Sequence, residues 1–195
     1  MIKIYGIWGS FIFLRSWLFT KLFYNSAKLI LLPFDIRGRK YITWGTDFRA
    51  GFGCRLEAYP AKNEITLKIG SNVQIHDYVH ITASSKVIIG NDVLMASKIY
   101  ISDTLHGSYS GDINDSDPSI PPGSRIVSSK SVIIGDRVWL GEFVSVLPGV
   151  IIGEGTIVGA NSVVSKDLPA NVIAVGSPAK PIKRFNFEKK KWELI

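Results

Sequence analysis

Stepping by six from Ile134 reaches Leu140, Val146, Ile152, Val158 and Val164, and every position is aliphatic. Glycine follows four of them, at Gly135, Gly141, Gly153 and Gly159. Four residues after each of the first five stands Val138, Val144, Val150, Thr156 or Ser162, all small or β-branched. This period is neither the 3.6 of a helix nor the alternation of a single strand. It calls for a short strand and a corner, repeated, so that each aliphatic side chain points inward and stacks on its equivalents in neighbouring coils. Glycine suits corners where the backbone needs unusual dihedrals or close approach. The expected fold is therefore an all-β, flat-sided solenoid. Upstream, Ile69, Ile75, Ile81 and Val87 share one phase, and Ile89, Met95 and Ile101 share another, displaced by a two-residue slip. A fainter phase runs through Trp44, Ala50 and Leu56.

The repeat stops between Ile101 and Val132. The intervening Ser-, Asp-, Pro- and Gly-rich stretch predicts a loop insertion over 102–131, and a loop of that length in a compact solenoid is usually functional. His106 lies near its start. It is one of three histidines, with His76 and His80, and a neutral imidazole is the natural general base near neutral pH. The single cysteine, Cys54, excludes an internal disulfide and reads as a core residue. A net charge of +7 suits anionic partners, but no zinc-finger spacing or arginine-rich run points to nucleic acid.

At the N-terminus, residues 4–34 are rich in Ile, Leu, Phe and Trp but are interrupted by Arg15, Lys21 and Lys28. On a helical wheel Lys3, Ser10, Lys21 and Lys28 fall nearly on one line, with Arg15 opposite. That reads as an amphipathic helix, neither a membrane span nor a cleaved signal, packed on the protein, on a neighbouring subunit or on a membrane face. The chain thus divides into a helical segment over 1–35, the solenoid over 36–184 and a basic tail over 185–195.

On its repeats the chain resembles the hexapeptide-repeat acyltransferase family. The resemblance implies a left-handed parallel β-helix with three hexads per triangular coil, although elementary chirality favours right-handed crossovers. The segment Ile101-Ser102-Asp103-Thr104-Leu105-His106-Gly107, followed by Ser108-Tyr109-Ser110-Gly111, is similar to the loop of surface-polysaccharide O-acetyltransferases. Their Asp-His-x-His-Gly pattern has Thr104 here in place of its first His and His106 in place of its second, the catalytic base. The resemblance implies acceptor contacts from Asp103 and Tyr109. It adds His76, which stands where related galactoside and maltose acetyltransferases carry an acceptor-binding Asn.

Val138-Trp139-Leu140-Gly141 resembles the family's Val-Trp-Ile-Gly, which makes Trp139 a wall for the donor arm or the sugar, with Gly141 beside the donor. The run from Gly159 to Pro169 is similar to the family's GAGSVVTKDIP, with Asn161 for Gly and Ser165 for Thr, and implicates Ala160, Ser165 and Lys166 in donor binding. Val175-Gly176-Ser177-Pro178-Ala179-Lys180-Pro181-Ile182-Lys183 resembles the closing segment VGxPAKxIK, whose Lys180 and Lys183 suit the phosphates of coenzyme A.

Together these matches imply an O-acetyltransferase that moves an acetyl group from acetyl-CoA, as co-substrate and without a metal, to a sugar hydroxyl. The acceptor would be a sugar or lipid-linked oligosaccharide of lipopolysaccharide O-antigen or another surface polysaccharide. A homotrimer is implied, cytoplasmic or peripheral at the inner face of the cytoplasmic membrane. The competing expectations are a non-catalytic β-helix scaffold and a metal hydratase like the γ-class carbonic anhydrases, which needs three His ligands.

Overall fold

The computed structural model describes residues 2–195, with side chains from residue 6 onward. One α-helix precedes a succession of short strands that visit three sheets in turn, parallel except for the last strands of one of them. Sheet A has nine strands, sheet B six and sheet C five. The hexad phase maps directly onto them. Ile134 pairs with Ile152 in sheet C, Leu140 with Val158 in sheet A, and Val146 with Val164 in sheet B, so one coil takes eighteen residues. All six side chains are buried. The second small residue of each hexad, from Val138 to Ser162, is buried as well, at the corners of the prism.

The two-residue slip has a simple physical form. Val87 and Ile89 lie in one strand of sheet C, two residues apart, and both face inward. That coil is longer by one alternation of a strand, which keeps both side chains on the core face. At the corners, Gly141 is required by close approach: a Cβ there would stand 2.6 Å from the Ala160 backbone nitrogen. The corner residue Asn161 has a φ of 59°, a left-handed conformation that Asn tolerates better than most residues, and this accounts for its presence where the family pattern has Gly.

Helix α1 (Ile2–Phe23) packs along the first strand of sheet A, Ala27–Ile30. Gly6, with a φ of 66°, kinks it. The expectation of helix as far as residue 35 is corrected, because Ala27–Ile30 and Asp35–Arg37 are strands of sheets A and B. Lys28 therefore does not belong to a helical face, and the Lys3 side chain lies outside the described residues. The orientation of α1 also reverses the usual amphipathic arrangement. Ser16 and Thr20 point inward, where the Ser16 and Thr20 hydroxyls accept the N–H groups of Leu32 and Ile30 at 3.1 and 2.9 Å. These two bonds satisfy an otherwise unpaired sheet edge. Ile7, Phe11, Leu14, Leu18 and Leu22 form the exposed line on the opposite side. Among the described residues no helix is long and apolar enough to cross a membrane.

The insertion is not wholly loop. Thr104–His106 and Val127–Ser129 form an antiparallel two-stranded hairpin that leaves the end of a sheet B strand. The chain end is likewise structured: Ala179–Asn186 and Lys191–Leu194 run antiparallel at the far edge of sheet A. Packing of Phe185 against Trp192, ring centroids 5.2 Å apart, explains why the sequence expected as a solvated tail pairs instead.

Candidate active site

Sheet B has two edges, and the candidate residues divide between them. At the edge where chains pass from sheet A to sheet B, His76, Ala96, Gly141 and Gly159 succeed one another coil by coil, each N–H bonded to the coil above. His76, Gly141 and Ala160 belong to this edge. The opposite edge, where chains leave sheet B, carries Ser165 and Lys166 just beyond the strand Val163–Val164. The hairpin bearing His106 departs from the same edge beyond Ser102. Within one chain His106 thus leaves the same edge of sheet B that carries Ser165 and Lys166 two rungs along, and His76, Gly141 and Ala160 lie on the other.

His106 is exposed at the end of its strand. The Tyr109 hydroxyl donates to the His106 carbonyl at 2.5 Å, and the Arg125 guanidinium donates to that hydroxyl at 2.7 Å. Arg125 also holds the Ile120 carbonyl at 2.9 Å. Tyr109, expected at the acceptor, therefore braces the His106 backbone while its ring remains exposed. Arg125 was not singled out from the sequence, because an arginine in a polar loop carries no periodic signal.

The expected contact between Asp103 and the acceptor is corrected by burial. Asp103 is 0% exposed, and its carboxylate accepts the backbone N–H groups of Ser84, Ser85 and Lys86 at 2.8, 2.7 and 2.7 Å. The Thr104 hydroxyl also donates to it at 2.8 Å. Asp103 thus anchors the base of the hairpin to the preceding coil, so its role is positional. Thr104, standing where the family pattern has its first His, completes that anchor.

On the donor side, Trp139 lies half-exposed on the outer face of sheet A, in register with Leu94 on one side and Ile157 on the other. The outer column runs Leu29, Arg49, Gln74, Leu94, Trp139, Ile157, Ile173 and Lys183. Lys180 is exposed nearby on the same strand as Lys183.

The third histidine, His80, sits in a separate network on the outer face of sheet B. Its Nε2 lies 2.7 Å from the Glu57 carboxylate, and its Nδ1 lies 3.3 Å from the Arg55 guanidinium. Arg55 can only donate, so Nδ1 accepts and Nε2 carries the proton. Burial pushes the Glu57 carboxyl up, but hydrogen bonds from His80, Thr82 and Tyr59 and the charge of Arg55 outweigh it and hold the group below its ordinary value. Cys54 is buried, its Sγ 2.9 Å from the His76 carbonyl, and burial pushes its thiol up to about 11. Among the described residues no three His, Cys, Asp or Glu side chains gather as metal ligands, and His76 and His80 point to different faces.

Comparison with known proteins agrees with this architecture. Residues 131–166 match the bacterial transferase hexapeptide model of six repeats. Over 98% of its length the chain is 46% identical to the putative lipopolysaccharide biosynthesis O-acetyl transferase WbbJ of Escherichia coli K12, covering 96% of that protein. The chain belongs to the hexapeptide-repeat acyltransferase family. Within that family it is 32% identical to the galactoside O-acetyltransferase of E. coli K12 over 62% of this chain and 55% of that one. Among solved structures it resembles AntD, an N-acyltransferase from Bacillus cereus in complex with dTDP and 3-hydroxybutyryl-CoA. The TM-score is 0.69 at 26% identity, covering 88% of this chain and 89% of AntD.

Proposed function

We propose that the protein is a sugar O-acetyltransferase that uses acetyl-CoA and acts on a surface polysaccharide such as lipopolysaccharide O-antigen. One observation carries the mechanism: the His106 imidazole stands exposed on a braced hairpin, at the edge that also holds Ser165 and Lys166. The near-full-length likeness to WbbJ, the coenzyme A thioester bound by AntD and the matched donor segments support the chemistry. The coils wind left-handed, as the family resemblance implies.

His106 takes the proton from a sugar hydroxyl as its oxygen attacks the thioester carbonyl. The carbonyl π bond opens to an oxyanion, then re-forms as the C–S bond breaks. The departing thiolate receives the proton from the imidazolium, giving the O-acetyl sugar and CoA–SH. General-base help of this kind is worth about 10²–10⁴ in rate. Because the matched residues occupy opposite edges of sheet B, three copies in a ring would set His106, Ser165 and Lys166 of one against Trp139, Gly141 and Ala160 of the next, with the sites between subunits. The exposed apolar line of α1, flanked by Arg15 and Lys21, supports peripheral contact with the inner face of the cytoplasmic membrane.

The test is mass spectrometry of the surface polysaccharide from cells carrying the wild-type chain, His106→Ala or no chain. An acetyl increment on the repeat unit is expected with the wild-type chain alone. A modification that survives His106→Ala overturns the assignment of the base.

A further inference from the structure

Residues with left-handed backbone stack along two corners of the prism, and the two stacks are filled differently. Where chains enter sheet A the stack runs Asp47, Asn72, Asp92, Arg137, Gly155 and Asn171, with φ between 53° and 64°. Asp, Asn and Gly tolerate that backbone best, and Arg137, the exception, bonds Glu154 at 2.7 Å. Where chains pass from sheet A to sheet B the stack runs Gly53, Tyr78, Lys98, Phe143 and Asn161. Its three central residues have φ of 59°, 60° and 58°. Tyr, Lys and Phe gain nothing from this conformation, and Asn fits the same backbone with less strain. Strain of this kind clusters where the side chains serve a function. The Tyr78 and Phe143 rings are 51% and 49% exposed. Their ring contacts are with neighbours on the same corner: Tyr78 meets Phe52 edge-on at 5.6 Å, and the Lys98 ammonium lies 4.7 Å from the Phe143 ring centre. The corner thus presents a continuous ladder of half-exposed rings and one cation.

We propose that Tyr78, Lys98 and Phe143 seat the His106 hairpin of a second copy of this chain. The inference rests on the acetyl-transfer reading and the ring of copies above. The ladder stands on the same corner as Gly141 and Ala160, with Phe143 two residues beyond Gly141. The hairpin leaves the opposite border of sheet B. Both borders run along the solenoid, so joining one to the other over several rungs sets the symmetry axis along the solenoid too. Each coil then keeps its height in every copy. Lys98 and Ser102 lie in one coil, so the hairpin that starts beyond Ser102 arrives level with Lys98. Tyr78 stands one rung to one side of that level and Phe143 one rung to the other. The hairpin brings exposed apolar side chains of its own, Leu105, Val127 and Ile126, the last 87% exposed. Seating them on the ladder removes apolar surface of both chains from water and fixes the strand that carries His106.

Limited proteolysis of the full chain tests the seat independently of activity. Cleavage within residues 104–129 is expected to be slow in wild type and about tenfold faster in a double variant, Tyr78→Asn with Phe143→Asn. Equal cleavage in the two proteins, or variant cuts that fall first in the coils, overturns the proposal. If the double variant does not fold, Lys98→Asn carries the same comparison. Co-expression then separates a ladder that serves a second copy from one that serves its own chain. In cells, His106→Ala alone and the double variant alone are each expected to lower polysaccharide acetylation by about tenfold or more. Expressed together, they are expected to restore about a quarter of the wild-type sites, the share in which an intact hairpin meets an intact ladder on random mixing into rings. No restoration assigns the ladder to its own chain and overturns the proposal. If wild type acetylates nothing, yet its hairpin is protected and the double variant's is not, the transferase reading fails and the seat stands.

Discussion

At the residue scale, the site depends on side chains that hold backbone in place as much as on those that meet substrate. Asp103 satisfies three consecutive amides, a charge-assisted set that polar neighbours cannot replace. Asp103→Asn is expected to cost about 2 kcal/mol, because the amide offers one acceptor oxygen where the carboxylate has two. Chemical denaturation checks the stability, and loss of activity beyond that explained by unfolding would report hairpin displacement. Cys54 presents a separate case. With its thiol raised to about 11 and its Sγ buried, it should resist iodoacetamide at pH 8 in the native protein and react only on unfolding. Rapid alkylation of the native state would contradict its core position. His106 was legible in the sequence as an isolated imidazole in a long insertion. Arg125 and the structural use of Asp103 were not, since each acts through partners that lie more than a dozen residues away in the chain.

At the element scale, α1 is the clearest divergence between pattern and packing. A wheel drawn through Lys28 assumed a continuous helix, but the helix stops at Phe23, and the following residues become an edge strand of sheet A. Inward-facing Ser16 and Thr20 are used because the neighbouring edge offers N–H groups that apolar side chains could not satisfy. The apolar line is left outside. Phe11→Asp with Leu18→Asp is expected to leave the fold intact and reduce binding to anionic phosphatidylglycerol vesicles. Undiminished vesicle binding in sedimentation would remove α1 from the membrane contact. The hairpin was hidden for a related reason: three-residue strands in a polar insertion show too little alternation to be distinguished from loop.

For the whole molecule, stability is distributed along the stack, since each coil packs on its neighbours alone. Leu140 sits fully buried in the middle coils, so Leu140→Ala is expected to cost about 2–5 kcal/mol by opening a cavity that rigid sheets cannot close. The Glu57 network adds a pH dependence. Its carboxyl titrates below the ordinary 4.5 in the folded chain, so its contribution is complete above that pH and is lost as pH falls through the lower folded value. Thermal melts should show this acid-side loss in wild type and a shallower one in Glu57→Gln; identical profiles would show that the network does not couple to folding.

What the sequence determined by itself is the coil. An aliphatic residue every six positions can be buried only by a repeating strand and corner, because each rung must find its like on the next. Even the two-residue slip was visible, since a strand alternates with that period. Tertiary structure alone decided which edge each polar residue occupies. Pairing between successive coils joins residues sixteen or more apart, and the hydrogen bonds of Asp103 and the Glu57 cluster arise from that juxtaposition, which no local pattern encodes.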